Sequence, residues 1–177
     1  TVEAALHDAC KAGRLHHSLL FAGPRGIGKA TLAFRLARFL LKPEEEGLLG
    51  LDMPAADDFD VSTEDPVFRQ VAAGGHPALR VVERARNPDT GKVARDITVG
   101  DIRRLSEFFR MTTVAGGWRV AIIDPAEAMN QNAANALLKI LEEPPERSAI
   151  VLVSHAPGRL LPTIRSRCHV VQMSAPP

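Results

Sequence analysis

Cysteine is scarce in this sequence: Cys10 and Cys168 are the only two. They make no C-x-x-C pair, no four-ligand zinc set and no disulfide framework, so a reducing cytoplasm is the expected compartment. Long apolar runs are missing as well. None approaches the roughly 18 to 20 residues that cross a bilayer, and no charged-then-apolar leader opens the chain, so a soluble protein without membrane contact is expected. Nor does charge of one sign dominate. Lys and Arg number 22 against 21 Asp and Glu, a formal net charge of +1, which excludes a protein held on nucleic acid mainly by attraction to phosphates. Any contact with DNA is then local or shared.

What is present points to one domain. A length of 177 residues with 45% hydrophobic content supports one good core and is short for two, so a single domain over 1–177 is expected. Short apolar runs alternate with segments of helical period. That is the pattern of parallel strands joined by crossover helices, an α/β chain of about five strands with helices on both faces.

Val2 to Ala12 reads as a small helix stopped near Gly13, and Ser18 to Ala22 as a buried strand entering a glycine-rich turn. The helix from Gly28 to about Leu41 is apolar over most of its circumference and ends at Pro43. Leu79 to Glu83 restarts the sheet, and Arg84 to Asp96, which carries Asn87-Pro88-Asp89-Thr90-Gly91, is a surface turn or long hairpin. Thr98 and Asp101 have capping-box spacing ahead of Ile102, Leu105, Phe108 and Phe109. Trp118 to Ile123 is a strand that ends at Asp124, and the helix after Asn130 runs to Glu142 and stops at Pro144 and Pro145. Ala149 to Val153 and His169 to Gln172 complete the strands. From Glu44 to Asp65 nine acidic residues stand with no Lys or Arg, so the region of about 43–77 reads as a loosely structured acidic insertion.

The run Gly23-Pro24-Arg25-Gly26-Ile27-Gly28-Lys29, between a strand and a helix, fits the G-x-x-x-x-G-K core of a phosphate loop. In such a loop successive backbone N–H groups face phosphate oxygens, the following helix presents its positive end, and the lysine reaches the outer phosphates. Gly23, Gly26, Gly28 and Lys29 are therefore candidate nucleotide-binding residues. The same site is worn where chemistry needs it. The magnesium-holding hydroxyl belongs directly after the lysine, where Ala30 stands, and Thr31 is turned about 100 degrees further round the helix and points elsewhere. Asp124 ends a strand where a carboxylate orients a magnesium ion's water shell. The next position, where an acid polarises the attacking water in hydrolytic enzymes of this architecture, is Pro125. Glu127 reads as a solvated acid. His16 and His17 lack an acidic or Cys partner at ligand spacing and pack or face solvent, and Cys168 reads as a small buried side chain.

The run Asn135-Ala136-Leu137-Leu138-Lys139-Ile140-Leu141-Glu142-Glu143-Pro144-Pro145, followed by Arg165-Ser166-Arg167-Cys168, resembles the clamp-loader branch of the AAA+ ATPases. The resemblance extends from about His16 to Val171 and takes in Leu15-His16-His17-Ser18, the phosphate loop and the Asp124 strand. It is strongest to the N-terminal nucleotide-fold domain of bacterial DNA polymerase III delta-prime subunits. Motor subunits of the gamma and tau type are also similar, but keep a Thr or Ser after the lysine and a Glu after the strand Asp.

The resemblance implies a P-loop NTPase fold of the AAA+, RecA-like kind. It also implies a five-subunit ring, shared with gamma/tau motor subunits and a delta subunit, that opens a sliding clamp and places it on primed DNA. Arg167 would be an arginine finger reaching the ATP of the neighbouring motor subunit, where it offsets charge on the γ-phosphate. Read locally, Arg167 is a solvated or salt-bridged arginine, and Arg165 competes for the interface role. Ser154 stands where the family places a γ-phosphate sensor, although a serine at a strand end also serves as a cap. Lys139, Arg103 and Arg104 are candidates for DNA contact as bases on predicted helices. On this reading the chain belongs to the polymerase holoenzyme and is not a competent ATPase alone. ATP or ADP could still bind without a well-held magnesium ion, since a cradle of N–H groups needs no metal ligand.

Many relatives insert a four-cysteine zinc module between the phosphate-loop helix and the second strand. Pro43 to Pro77 holds no Cys, so no zinc is expected. The family's helical lid and C-terminal collar fall outside this chain, which reads as an excised domain. Two alternatives stay open: an active gamma/tau-type motor that tolerates Ala30, and a P-loop kinase or other small-substrate phosphotransferase, against which the paired motifs argue.

Overall fold

The structure is a computed structural model and describes residues 1–42, 59–111 and 117–176. Five strands, β1 (Ser18–Ala22), β2 (Leu79–Val82), β3 (Arg119–Ile123), β4 (Ser148–Ser154) and β5 (His169–Gln172), form one sheet in the order β2-β3-β4-β1-β5, with every pairing parallel. Six α-helices stand among the described residues: α1 (Val2–Lys11), α2 (Lys29–Leu41), α3 (Pro66–Ala72), α4 (Val99–Arg110), α5 (Gln131–Glu142) and α6 (Pro162–Arg167). Parallel strands cannot be joined by a tight turn, and these helices carry the chain back to the start of each next strand.

Side-chain alternation along the strands builds two apolar layers. Leu20 and Ala22 of β1, Ala121 and Ile123 of β3, and Ile150 and Leu152 of β4 face α4, α5 and α6. The intervening residues Leu19, Phe21, Val120, Ile122, Val151 and Val153 face α1, α2 and α3. Both faces are therefore covered, and β4 is buried at every position, as a central parallel strand must be. Each fully buried Leu, Ile, Val or Phe in these layers contributes about 1.5–3 kcal/mol.

Local signals set the helix ends. Thr98 and Asp101 form a complete capping box on α4, and Asn130 caps α5 by accepting from the N–H of Ala133 at 2.9 Å. The 84–96 excursion is a hairpin: Arg86 and Val93 form an antiparallel bridge, and the Asn87 carboxamide accepts from the N–H groups of Asp89 and Thr90.

The reading of 43–77 as a loosely structured insertion is corrected over its second half; 43–58 lie outside the described residues. Asp65 caps α3 by accepting from the N–H of Val67 at 2.8 Å, with Pro66 in the first turn. Phe59 is fully buried and packs edge-on against His7 and obliquely against Phe39. The Glu3 carboxylate accepts from the N–H of Phe59 at 3.1 Å and pairs with Arg35 at 2.7 Å. Acidic composition predicted solvation, but Phe59, Val61, Val67 and Val71 are buried, three of them in the layer that covers α2. No described helix is long and apolar enough to cross a membrane.

Candidate functional site

Because β1, β3 and β4 run parallel, their C-terminal ends lie on one edge of the sheet. Ala22 is in register with Ser154, and the N–H of Gly23 donates to the Ser154 carbonyl at 3.3 Å. This edge gathers the loop after β1, Asp124 after β3 and Ser154 at the end of β4. Ligands of open α/β sheets bind at such strand ends.

The loop turns into α2 through Gly28, whose φ of 92° is left-handed and which offers no side-chain cap. The first-turn N–H groups of α2 are thus left without a side-chain partner, as a phosphate cradle requires. Gly26 is exposed within the loop. Lys29, however, is only 3% exposed. Its ammonium donates to the Gly23 carbonyl at 2.7 Å and to the Pro24 carbonyl, so the lysine closes the loop on itself. Burial lowers its pKa despite attraction from Asp124 and Glu127, and Arg25 adds to the lowering. Thr31 is exposed and Ala30 half-buried.

Glu127 is not the solvated acid expected from sequence. The short 3-10 turn Ala126–Ala128 carries it back under the end of β4, where its carboxylate accepts from the N–H of His155 at 3.0 Å. Burial alone would raise its pKa, but hydrogen bonds from its own backbone, the Ser154 hydroxyl and the His155 N–H, together with the His155 charge, hold it below the usual value. Asp124 goes the other way: burial raises its pKa, with Glu127 adding and His155, Lys29 and Arg25 opposing. His155 Nε2 stands 3.8 Å from the Asp124 carboxylate. Ser154 is fully buried, and its hydroxyl accepts from the N–H of Ala156 at 3.2 Å.

Two of the positions that serve a magnesium ion and its water in a phosphate-loop site carry other residues here. The position after Lys29 carries a methyl and the position after Asp124 a proline ring. Among the described residues no group of three or more His, Cys, Asp or Glu is placed to hold a metal.

Arg167 ends α6. One guanidinium nitrogen donates to the Thr163 carbonyl at 3.1 Å, and the other lies 2.9 Å from the Glu142 carboxylate at the end of α5. Arg165 on the same helix is exposed. Of the bases considered for DNA contact, Lys139, Arg103 and Arg104 are all exposed, and Arg104 pairs with Asp101.

A cleft of about 580 Å³ opens beside the loop, with Arg25, Arg84, Arg95, Arg159, Glu127 and His155 in its wall. Sequence reasoning missed Arg84, Arg95, Arg159 and His155. His155 had a signal, its place directly after the strand-end Ser154, and Arg84 and Arg95 stand on the two arms of the hairpin read over 84–96; no local pattern announces that Arg159 meets them.

A five-stranded parallel sheet in this order, with a phosphate loop after its first strand and an acid at the tip of β3, defines a P-loop NTPase fold of the AAA+ class. A solved DNA polymerase III gamma subunit-related protein from Thermotoga maritima superposes with a TM-score of 0.60 at 24% identity, over 91% of this chain and 42% of that one. The chain belongs to the family described as DNA polymerase III, delta subunit, which matches residues 1–177. It is 42% identical over 162 residues to the DNA polymerase III subunit delta' of Pseudomonas aeruginosa, covering 90% of this chain and 43% of that protein. It is also 36% identical over 168 residues to the gamma/tau subunit of Mycobacterium bovis, covering 95% of this chain and 26% of that protein. The chain thus spans less than half the length of these curated relatives.

Proposed function

We propose that the chain is the nucleotide-fold domain of a clamp-loader delta-prime subunit that does not hydrolyse ATP at its own loop and supplies Arg167 to the ATP site of a neighbouring motor subunit. The observation that carries this reading is the donor set around the loop: Ala30 and Pro125 replace the metal-holding hydroxyl and the second acid, and the Lys29 ammonium is engaged by Gly23 and Pro24. Such a site lacks the parts that position magnesium and water for phosphoryl transfer. Arg167 supports the second half. It is held at a helix end by one half-exposed carboxylate and one carbonyl, contacts that a γ-phosphate could displace.

The partners on this reading are gamma/tau motor subunits and a delta subunit in a five-subunit ring, the sliding clamp, and primed DNA reached through the complex. Lid and collar domains would belong to the remainder of the subunit. The gamma/tau-type relatives favour a second reading, an active motor, and one experiment separates the two. Full-length protein is incubated alone with ATP and excess magnesium. Turnover at the level of the buffer blank is expected; steady magnesium-dependent turnover would establish the motor reading.

A further inference from the structure

Four arginines face the cleft beside the loop from four places in the chain: Arg25 from the loop, Arg84 and Arg95 from the two arms of the 84–96 hairpin, and Arg159 from the 3-10 turn after β4. The Arg159 backbone N–H donates to the Ala156 carbonyl at 2.9 Å, but among the described residues the side chains of Arg84, Arg95 and Arg159 make no hydrogen bond or ion pair. Arginines elsewhere do, as Arg35 with Glu3, Arg119 with the Phe108 carbonyl and Arg167 with Glu142 show. The acids in the wall are Asp96 and Glu127, and Glu127 is engaged by His155 and Ser154. Positive charge therefore exceeds negative inside a concavity, which concentrates its field.

We infer that this cleft is an anion site that holds the phosphate chain of a nucleotide-sized polyphosphate on guanidinium groups, without a metal ion. Planar guanidiniums bind phosphate oxygens in pairs, and they neutralise charge that a magnesium ion would otherwise offset. At about 580 Å³ the cleft lies in the size range of small-molecule sites. It is a convergent pocket rather than a stripe, in a chain of net charge +1, and both facts favour a small polyanion over a nucleic-acid backbone. The site goes beyond the proposed function and does not depend on Arg167.

The test is calorimetric titration of the full-length protein with tripolyphosphate and with ATP, in EDTA and in magnesium. Saturable binding in EDTA is expected, weakened roughly tenfold or more by Arg84→Gln/Arg95→Gln and by Arg159→Gln. Arg69→Gln, on an exposed residue of α3, should leave it within about twofold. The substituted arginines are exposed, so the variants should fold, which circular dichroism checks. No saturable binding up to millimolar ligand would overturn the inference, as would binding that vanishes in EDTA or ignores the arginine variants. A single-stranded oligonucleotide held more tightly than tripolyphosphate through the same arginines would overturn it too and reassign the cleft to nucleic acid.

Discussion

The guanidinium of Arg167 lies 2.9 Å from the carboxylate of Glu142, an ion pair that ties the end of α6 to the end of α5. Both side chains are half-exposed, so solvent screens the attraction and the pair contributes little to folding. Glu142→Gln should cost under about 1 kcal/mol in urea unfolding. On the proposed reading, in which Arg167 leaves the pair for a partner's phosphate, a weak pair is what the role needs; a loss well above that figure would mark the pair as structural.

The loop is most sensitive at its first glycine. A Cβ on Gly23 would stand 2.3 Å from the Met173 carbonyl oxygen and 2.8 Å from Ile27 Cδ1. The backbone just beyond β5 would have to move, and Gly23→Ala should cost about 3 kcal/mol, the upper end of overpacking losses. Gly28 has open space around it and needs only its left-handed backbone, so Gly28→Ala should cost roughly 1–2 kcal/mol. Thermal unfolding of the two variants checks the order.

Glu127 and Asp124 should move stability in opposite directions with pH. The Glu127 pKa is held down in the fold, so its contribution is present above the unfolded carboxylate pKa and is lost as pH falls through the folded value. Glu127→Gln should destabilise by roughly 1 kcal/mol at pH 7, with the difference closing in acid. The Asp124 pKa is raised, so its ionised form opposes folding near neutrality. Asp124→Asn should raise the melting temperature at pH 7, and that gain should shrink as pH falls into the carboxylate range. Melting curves of both variants between pH 7 and pH 4, roughly the span over which such carboxyls titrate, give the signs.

Burial pushes the thiols of Cys10 and Cys168 up to about 11. At pH 8 only roughly one thiol in a thousand is then ionised, and the thiolate is the reactive form. Iodoacetamide should label neither residue appreciably in the folded protein and both in urea, as read by mass spectrometry.

Much of this fold was legible because its signals are local. Asp101 three residues after Thr98 announced the start of α4, and the apolar run of Ser18 to Ala22 followed by glycines announced β1 and the loop. The same kind of signal was present at α3, where Asp65 and Pro66 form a cap and a first turn, but the surrounding acids obscured it. What makes 59–72 ordered is long-range: Phe59 meets His7 and Phe39, and Glu3 reaches the Phe59 N–H. The site divides the same way. Ala30 and Pro125 were visible as substitutions within a motif, whereas the fold of Glu127 back onto His155 and the approach of Arg159 to the hairpin arginines Arg84 and Arg95 arise only when separate segments are brought together.

The central claim is that Arg167 serves a neighbour's ATP. Its most direct measurement is single-turnover ATP hydrolysis in a clamp loader reassembled from full-length subunits, with only the motor site bordering this subunit left active. The account predicts that Arg167→Ala slows that site by roughly a thousandfold or more, while Arg165→Ala changes it little. An unchanged rate in Arg167→Ala, or the same fall in Arg165→Ala instead, would contradict it.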